Sequence, residues 1–338
     1  MSFNGSGAIN MTHQNEDGEL ATALSMNHTI AGLLIVGVLF GSVGNILVVV
    51  TILKNKRFRV PVYALLLQVA TNDALFQVTV VPFNIYSLFH TVWTPSTVLC
   101  YTMVYVTFML LCTTGLFLML VSVYRCILVC YTNLYTRIKD LRVVAALCVF
   151  FWVETVVLIC ALGERVYFSR EYMTCVLEGE NLRIVLSIFM YLPMSLIPIV
   201  MYIRIAVFVN KAKHRILPQG CTSSQNYAES NKLTKMTALI SLNHIMTGLL
   251  PGIFLAVIPN DFTVRRICVV VAHLLFRLTA ALDFLIFVLT HETIRSMVIG
   301  MFTLMRPVVT PTQQDKKREH RAINRSSIKI INPLDYRQ

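Results

Sequence analysis

Ionisable side chains inside or at the rim of long apolar stretches are where this sequence could do chemistry: Asp73, Arg125, Arg277 and Asp283, with His273 four residues before Arg277. A charge in hydrocarbon is costly, so such groups face partners, water or a ligand within a helix bundle. The chemistry they offer is recognition and charge pairing. No nucleophile–base pair, phosphate-cradling loop or Cys/His cluster at metal-ligand spacing accompanies them, so bond-making catalysis is not expected. Of the nine cysteines, Cys112, Cys126, Cys130, Cys148, Cys160 and Cys268 lie in or at the ends of apolar runs, where a thiol acts as a small buried hydrophobe. Only Cys100 and Cys175 fall in segments that could face an oxidising compartment.

The elements that must position these groups follow from hydropathy. Cys100 and Arg125 bracket the run Tyr101 to Val123, which holds no charged residue. A helix needs about 20 apolar residues to cross a bilayer, so Arg125 falls near the far interface. The whole chain is 56% hydrophobic and only 14% charged, with a mean hydropathy of +0.67. Soluble domains carry about 25% charged residues. Seven apolar segments are expected at about 29–53, 61–90, 98–129, 142–162, 184–209, 236–258 and 267–290. The spacing divides the chain into a polar segment 1–28, a bundle 29–290, an amphipathic helix 291–305 and a basic tail 306–338. The one long connection, about 210–235, reads as a flexible loop because of Pro218-Gln219-Gly220 and Ser223-Ser224.

Charge fixes an expected orientation. Basic residues crowd one set of connections (Lys54, Lys56, Arg57 and Arg59, for example) and fill the tail, whereas the other set holds only Arg165, Arg170, Arg183, Arg265 and Arg266. The positive-inside bias puts the amino terminus outside and the carboxyl terminus in the cytoplasm, as expected of a plasma-membrane protein. The net charge of +12 therefore faces anionic lipid and a cytosolic partner, and not nucleic acid. Residues 1–28 have no basic n-region or apolar core of a signal peptide. They do contain sequons at Asn4, Asn10 and Asn27, expected glycosylation sites.

Cys100 and Arg125, 25 positions apart, resemble the third helix of rhodopsin-like (class A) G-protein-coupled receptors. Other segments agree in register. Gly44-Asn45 resembles the Gly-Asn pair of the first helix, and Asp73 the intramembrane carboxylate of the second. Trp152 is similar to the tryptophan of the fourth, and Pro251 to the hinge proline of the sixth. Asp283-Phe284-Leu285-Ile286-Phe287 is similar to Asn/Asp-Pro-x-x-Tyr of the seventh. The resemblance implies an all-α membrane protein: a seven-transmembrane helix bundle with a short amphipathic eighth helix, working as a receptor for a small-molecule ligand that acts on a heterotrimeric G protein. It also implies a disulfide between Cys100 and Cys175. By the same resemblance, Asp73 and Asp283 line an allosteric sodium site with Thr114 and Asn45. Two other readings of the carboxylates stay open, a structural hydrogen-bond network or a protonated carboxyl beside an ionised one.

Tyr124-Arg125-Cys126 occupies the place of the family's G-protein-coupling triplet, with Tyr124 for the usual acid and Cys126 for the usual tyrosine. Asn231 stands near where the sixth helix would supply an acidic latch. Loss of a charge-assisted hydrogen bond there would raise basal signalling. Arg125 as a mere interfacial cation is the alternative. The sixth helix lacks the family tryptophan, and Phe284 and Phe287 replace the proline and tyrosine of the seventh. Tyr202 matches the fifth-helix tyrosine with a one-residue shift.

For the ligand, Thr107 stands where amine receptors carry an aspartate, and Arg277 where opsins carry their lysine. His273 and Arg277 share a helix face and could receive an anionic or polar ligand among Met103, Thr107, Phe108, Leu111, Phe254 and Val257. A structural pairing of Arg277 with Glu154 or Asp73 is the other reading. Pro61-Val62-Tyr63 with Asn72-Asp73, and His291-Glu292-Thr293-Ile294-Arg295, resemble patterns of fish-type odorant receptors, with related orphan receptors close behind. The tail holds Lys316-Lys317-Arg318, suited to anionic lipid, and Ser326-Ser327, which could serve arrestin control. A non-signalling scaffold, channel or transporter is the competing class; the lack of an internal repeat speaks against transport.

Overall fold

A computed structural model describes residues 6–90, 92–162, 165–169, 173–177, 192–213, 221–249 and 262–304. Its helices are α1 (Ser6–Lys54), α2 (Pro61–Phe89), α3 (Thr97–Cys130), the short α4 (Thr132–Ile138), α5 (Leu141–Leu162), α6 (Leu192–Lys213), α7 (Cys221–His244), α8 (Phe262–Thr290) and α9 (Glu292–Leu304). A π turn, Ile245–Leu249, continues α7. Two strands, β1 (Val166–Ser169) and β2 (Thr174–Leu177), form an antiparallel hairpin between α5 and α6.

The described parts of the seven expected apolar segments and of the amphipathic helix each fall in one of these helices; 184–191 and 250–258 lie outside the described residues. Among the described residues, 25–54 of α1, all of α2 and α3, and 192–211 of α6 are long and apolar enough to cross a membrane. At ~1.5 Å per residue, the 22 residues of α5 and 29 of α8 also reach the ~30 Å of a bilayer core. Local chemistry sets several ends. Pro61 sits at the first position of α2, where a missing N–H costs nothing. Ser96 caps α3 by accepting from the Leu99 amide at 3.3 Å.

Two boundaries differ from expectation. α1 starts at Ser6, well ahead of the apolar stretch, because Met, Leu, Ala and Glu sustain a helix through the polar segment. The connection expected to be a loop at 210–235 is helical from Cys221 onward. No proline or glycine interrupts residues 221–247, and the Ser223-Ser224 pair lies in the first turn, where short polar residues are tolerated. Pro218-Gln219-Gly220 lies outside the described residues.

α3 runs through the middle, touching α2, α5, α6 and α7, while α1 packs on α2 and α8. The largest apolar cluster surrounds the lower half of α3, with Phe117, Leu118, Val121, Leu65, Leu66, Met236 and Phe287 among its members. Gly44 is what lets α1 meet α8: a Cβ there would lie 2.2 Å from Cγ of Phe284, far inside contact distance. The phenyl ring that replaces a proline thus fills the space the glycine leaves. At the other end the described residues form smaller clusters, one around Cys100, Val104, Val166 and Cys175, another around Ala31, Leu34, Val81 and Leu88.

Candidate functional site

Three polar sites are threaded along the bundle. At one end, α3 is tied to the hairpin by a disulfide between Cys100 and Cys175, with Cα atoms 5.4 Å apart. Cys175 stands on β2 opposite Phe168, which packs with Phe108 against the bond. The expected pairing is therefore present. Below it, α3 presents Met103, Thr107, Phe108 and Leu111, all partly buried, with the Thr107 hydroxyl donating to the Met103 carbonyl at 2.7 Å.

Arg277 sits on α8 and is 9% exposed. Its Nη2 donates to Oδ1 of Asn84 on α2 at 2.9 Å, and its carbonyl accepts from Nε2 of Gln77 at 2.8 Å. Neither structural partner expected from sequence holds it: Glu154 is exposed on α5, and among the described residues no carboxylate lies within salt-bridge distance of Arg277. Asn84 was not singled out from the sequence; it lies eleven positions after Asp73, three turns along the same helix. His273 lies on α8, but its side chain is outside the described residues, as are Phe254 and Val257.

In the middle of the bundle, Asp73 and Asp283 come together as expected, both buried. Asp73 lies within hydrogen-bonding reach of Asp283. α7 adds two groups that sequence reasoning missed. Nδ2 of Asn243 donates to Oδ1 of Asp283 at 2.7 Å, and Nε2 of His244 lies 2.7 Å from its Oδ2. Two adjacent polar residues inside an apolar segment were the signal that could have found them. Of the other two members of the expected sodium set, Asn45 bonds through its amide NH2 and keeps a buried Oδ1 without a hydrogen-bond partner among the described residues, and Thr114 is bonded to Asn72. Nδ2 of Asn45 donates to the carbonyls of Gly41 and Ala280, at 2.8 Å each. The Thr114 hydroxyl accepts from Nδ2 of Asn72 at 3.1 Å.

At the far end, Arg125 is buried at 1% exposure among the phenols of Tyr63, Tyr135 and Tyr202. Its Nη2 donates to the hydroxyl of Thr234 on α7. The contact to the sixth membrane segment thus comes from Thr234, one turn along from Asn231. Tyr202 lies close enough to Arg125 to act on it, in keeping with the shifted match on the fifth segment. Tyr124, in the place of the acid, turns away and donates to the Ile138 carbonyl at the end of α4, at 3.4 Å. Cys126 is buried as well. Trp152 packs on the core opposite Phe117, with ring centroids 6.5 Å apart. On the same end, the hydroxyl of Tyr63 meets Nε2 of His291 at 2.7 Å, and Lys232 on α7 pairs with Glu292 on α9 at 2.7 Å.

Of the expected glycosylation sites, Asn27 is partly buried on α1; the side chain of Asn10 and all of Asn4 lie outside the described residues, as do Pro251 and the tail.

The comparisons with known proteins agree with this geometry. The chain is similar to squid rhodopsin in its crystal structure, with a TM-score of 0.72 over 88% of this chain and 91% of that one at 13% identity, which shows the fold. It is 23% identical to "Melatonin receptor type 1C" of Gallus gallus over 256 residues, 74% of this chain and 72% of the relative. A profile described as "7 transmembrane receptor (rhodopsin family)" matches residues 44–286, most of the chain, from Asn45 through Asp283. This multi-pass, seven-helix chain belongs to the rhodopsin family of seven-transmembrane receptors.

Proposed function

We propose that this receptor responds to a small anionic ligand bound at the disulfide end and passes the signal to a heterotrimeric G protein at the Arg125 end. Its amino terminus would be outside and its carboxyl terminus in the cytoplasm. Membership of a family of non-enzymatic receptors leaves rearrangement of the helices, not bond making, as the output. A ligand does this only by binding one arrangement better than the other.

The observation that carries the anionic reading is Arg277: a guanidinium buried in the disulfide half, held by the neutral amide of Asn84. Burying a cation that has no carboxylate partner among the described residues is expensive, and a carboxylate from outside would relieve that cost with charge-assisted hydrogen bonds. Met103, Thr107, Phe108 and Leu111 of α3 supply the partly apolar wall such a pocket needs. Odorant-receptor-like use rests on the Pro61-Val62-Tyr63 and Glu292-Thr293-Ile294-Arg295 patterns and makes waterborne carboxylates natural candidates. The orientation rests on the distribution of lysine and arginine.

The test is a ligand screen in cells bearing the full chain, comparing small carboxylates with their methyl esters and with melatonin, the neutral ligand in the relative's name. Carboxylates should evoke nucleotide exchange and their esters should not. Arg277→Gln should weaken the response about 10- to 100-fold, the worth of a charged hydrogen bond. Esters or melatonin acting as well as acids, or an unchanged Arg277→Gln response, would remove the anionic reading.

A further inference from the structure

α5 carries a single acidic residue, Glu154. Its side chain is exposed and, among the described residues, has no hydrogen-bond or ion-pair partner. Counted from Arg142 at the charged end of the helix, Glu154 lies twelve positions on, ~18 Å at ~1.5 Å per residue. That is well inside a hydrocarbon core of ~30 Å. A glutamate stem is too short to carry its head to either interface, as a lysine or arginine would. Carboxyl groups at such depth ordinarily face a partner or water within the bundle. This one faces outward.

The two sides of α5 are used differently. Val144, Cys148 and Thr155 are buried and Trp152 packs toward Phe117 of α3, so that side belongs to the bundle. A second stripe consists of Val143, Leu147, Phe150, Glu154 and Val157, spaced four, three, four and three residues apart. Val143, Phe150 and Val157 are 42%, 59% and 61% exposed, and Leu147 is half-buried. Alternation of three and four is the seam of a left-handed helix pair, the common geometry between membrane helices. It puts Glu154 inside the seam, where a lone polar residue fixes the register and the number of helices.

Two kinds of helix would satisfy that seam: one with a cation at matching depth, or α5 of a second copy. The second copy needs no further condition. Copies inserted in the same sense are related by a two-fold axis along the membrane normal, which sets the same residues opposite one another at equal depth. Two carboxyl groups are self-complementary once a proton lies between them, because the protonated one donates and the other accepts. We propose that α5 is a homodimer interface of this receptor, in which Glu154 of each copy hydrogen-bonds to Glu154 of the other while Val143, Leu147, Phe150 and Val157 pack around the pair. The three polar sites inside the bundle draw no residue from this stripe, so pairing leaves them intact.

The test follows energy transfer between donor- and acceptor-labelled full chains, purified and reconstituted together in phosphatidylcholine vesicles at increasing dilution in lipid. Wild type should show transfer that an excess of unlabelled wild type removes. Glu154→Leu should weaken association about 5- to 30-fold, the worth of a hydrogen bond between membrane helices. Glu154→Gln, whose amide also pairs with itself, should keep it. Glu154→Lys should fail to associate with itself but associate with wild type. A second reading leaves Glu154 unchanged, so a variant that fails to fold does not decide the matter. In cell membranes, oxidation should join copies of Val157→Cys, whereas Val149→Cys, exposed on another side of α5, should be joined no more than wild type. Equal association of Glu154→Leu and wild type, or equal joining at the two positions, would overturn the proposal. So would association in cells that the purified chain does not show, which would assign Glu154 to a basic helix of another protein. Transfer no greater than chance encounter predicts would overturn it too, leaving Glu154 a neutral carboxyl in lipid.

Discussion

The half of the bundle around Arg125 and the half around the Cys100–Cys175 bond are held together by different means. Around Arg125 a continuous apolar cluster reaches from Val48 on α1 to Val298 on α9, so side-chain packing fixes the helices. Around the disulfide the buried clusters of the described residues are smaller, and a covalent bond fixes the hairpin to α3. A dense core transmits displacement, because packed side chains have few intermediate arrangements. Under the proposed function, the tethered end is the one a ligand would enter. Each half also buries an arginine: Arg277 is met by an amide and Arg125 by a hydroxyl. The contrast suggests that the two ends differ in what they must tolerate, a foreign molecule at one and a moving helix at the other.

The contrast is broken most severely at the covalent end. Cys100→Ser or Cys175→Ser should cost about 2–4 kcal/mol, seen as a lowered melting temperature and loss of surface delivery; Cys112→Ser, with a free buried thiol, should do far less. Equal effects of the three would mean the tether is not what holds that end. The packed end is tested by Gly44→Ala, whose new methyl group collides with Phe284 and should cost about 1–3 kcal/mol. Phe284→Leu in the same chain should recover part of that loss, and a purely additive double variant would contradict the close packing.

Smaller effects sharpen the comparison. Thr234→Glu places a carboxylate where Arg125 now finds a hydroxyl and should lower ligand-independent nucleotide exchange, whereas Thr234→Ala should raise it, each by up to about tenfold. Smallest is the Lys232–Glu292 pair, since both side chains are more than half exposed. The hydrogen bond and charge of Lys232 hold the Glu292 carboxyl below its ordinary range. The pair therefore persists at neutral pH and is lost only as the pH falls through that lowered value. Lys232→Glu should shift basal exchange slightly, more at low salt than at high, and Glu292→Lys in the same chain should reverse it.

Most of the fold was legible because length and hydropathy suffice to place membrane helices: the segment expected at 98–129 became α3 to within one residue at each end, and that at 267–290 became α8, with the expected end and a start five residues earlier. What failed was polar helix. The segments before residue 25 and after Cys221 lack the apolar signal, so their helicity depended on propensity and the absence of proline, which a hydropathy reading ignores. Among site residues, those that break an apolar run with a charge (Asp73, Arg125, Arg277, Asp283) were visible at once. Their partners Asn84, Thr234, Asn243 and His244 were not. A neutral polar residue inside a helix carries no cost that demands explanation until the facing helix is known, and contacts such as Asn84 with Arg277 join residues nearly two hundred positions apart.

The account rests on Arg125 as the point where helix rearrangement is passed to a G protein. Nucleotide exchange by a panel of G proteins, in membranes bearing the full chain or its Arg125→Ala variant and with carboxylates present, tests this directly. The account predicts exchange that wild type catalyses and Arg125→Ala does not, at equal amounts of folded protein. Undiminished exchange with Arg125→Ala, or none by wild type with any G protein while a carboxylate is bound, would contradict it.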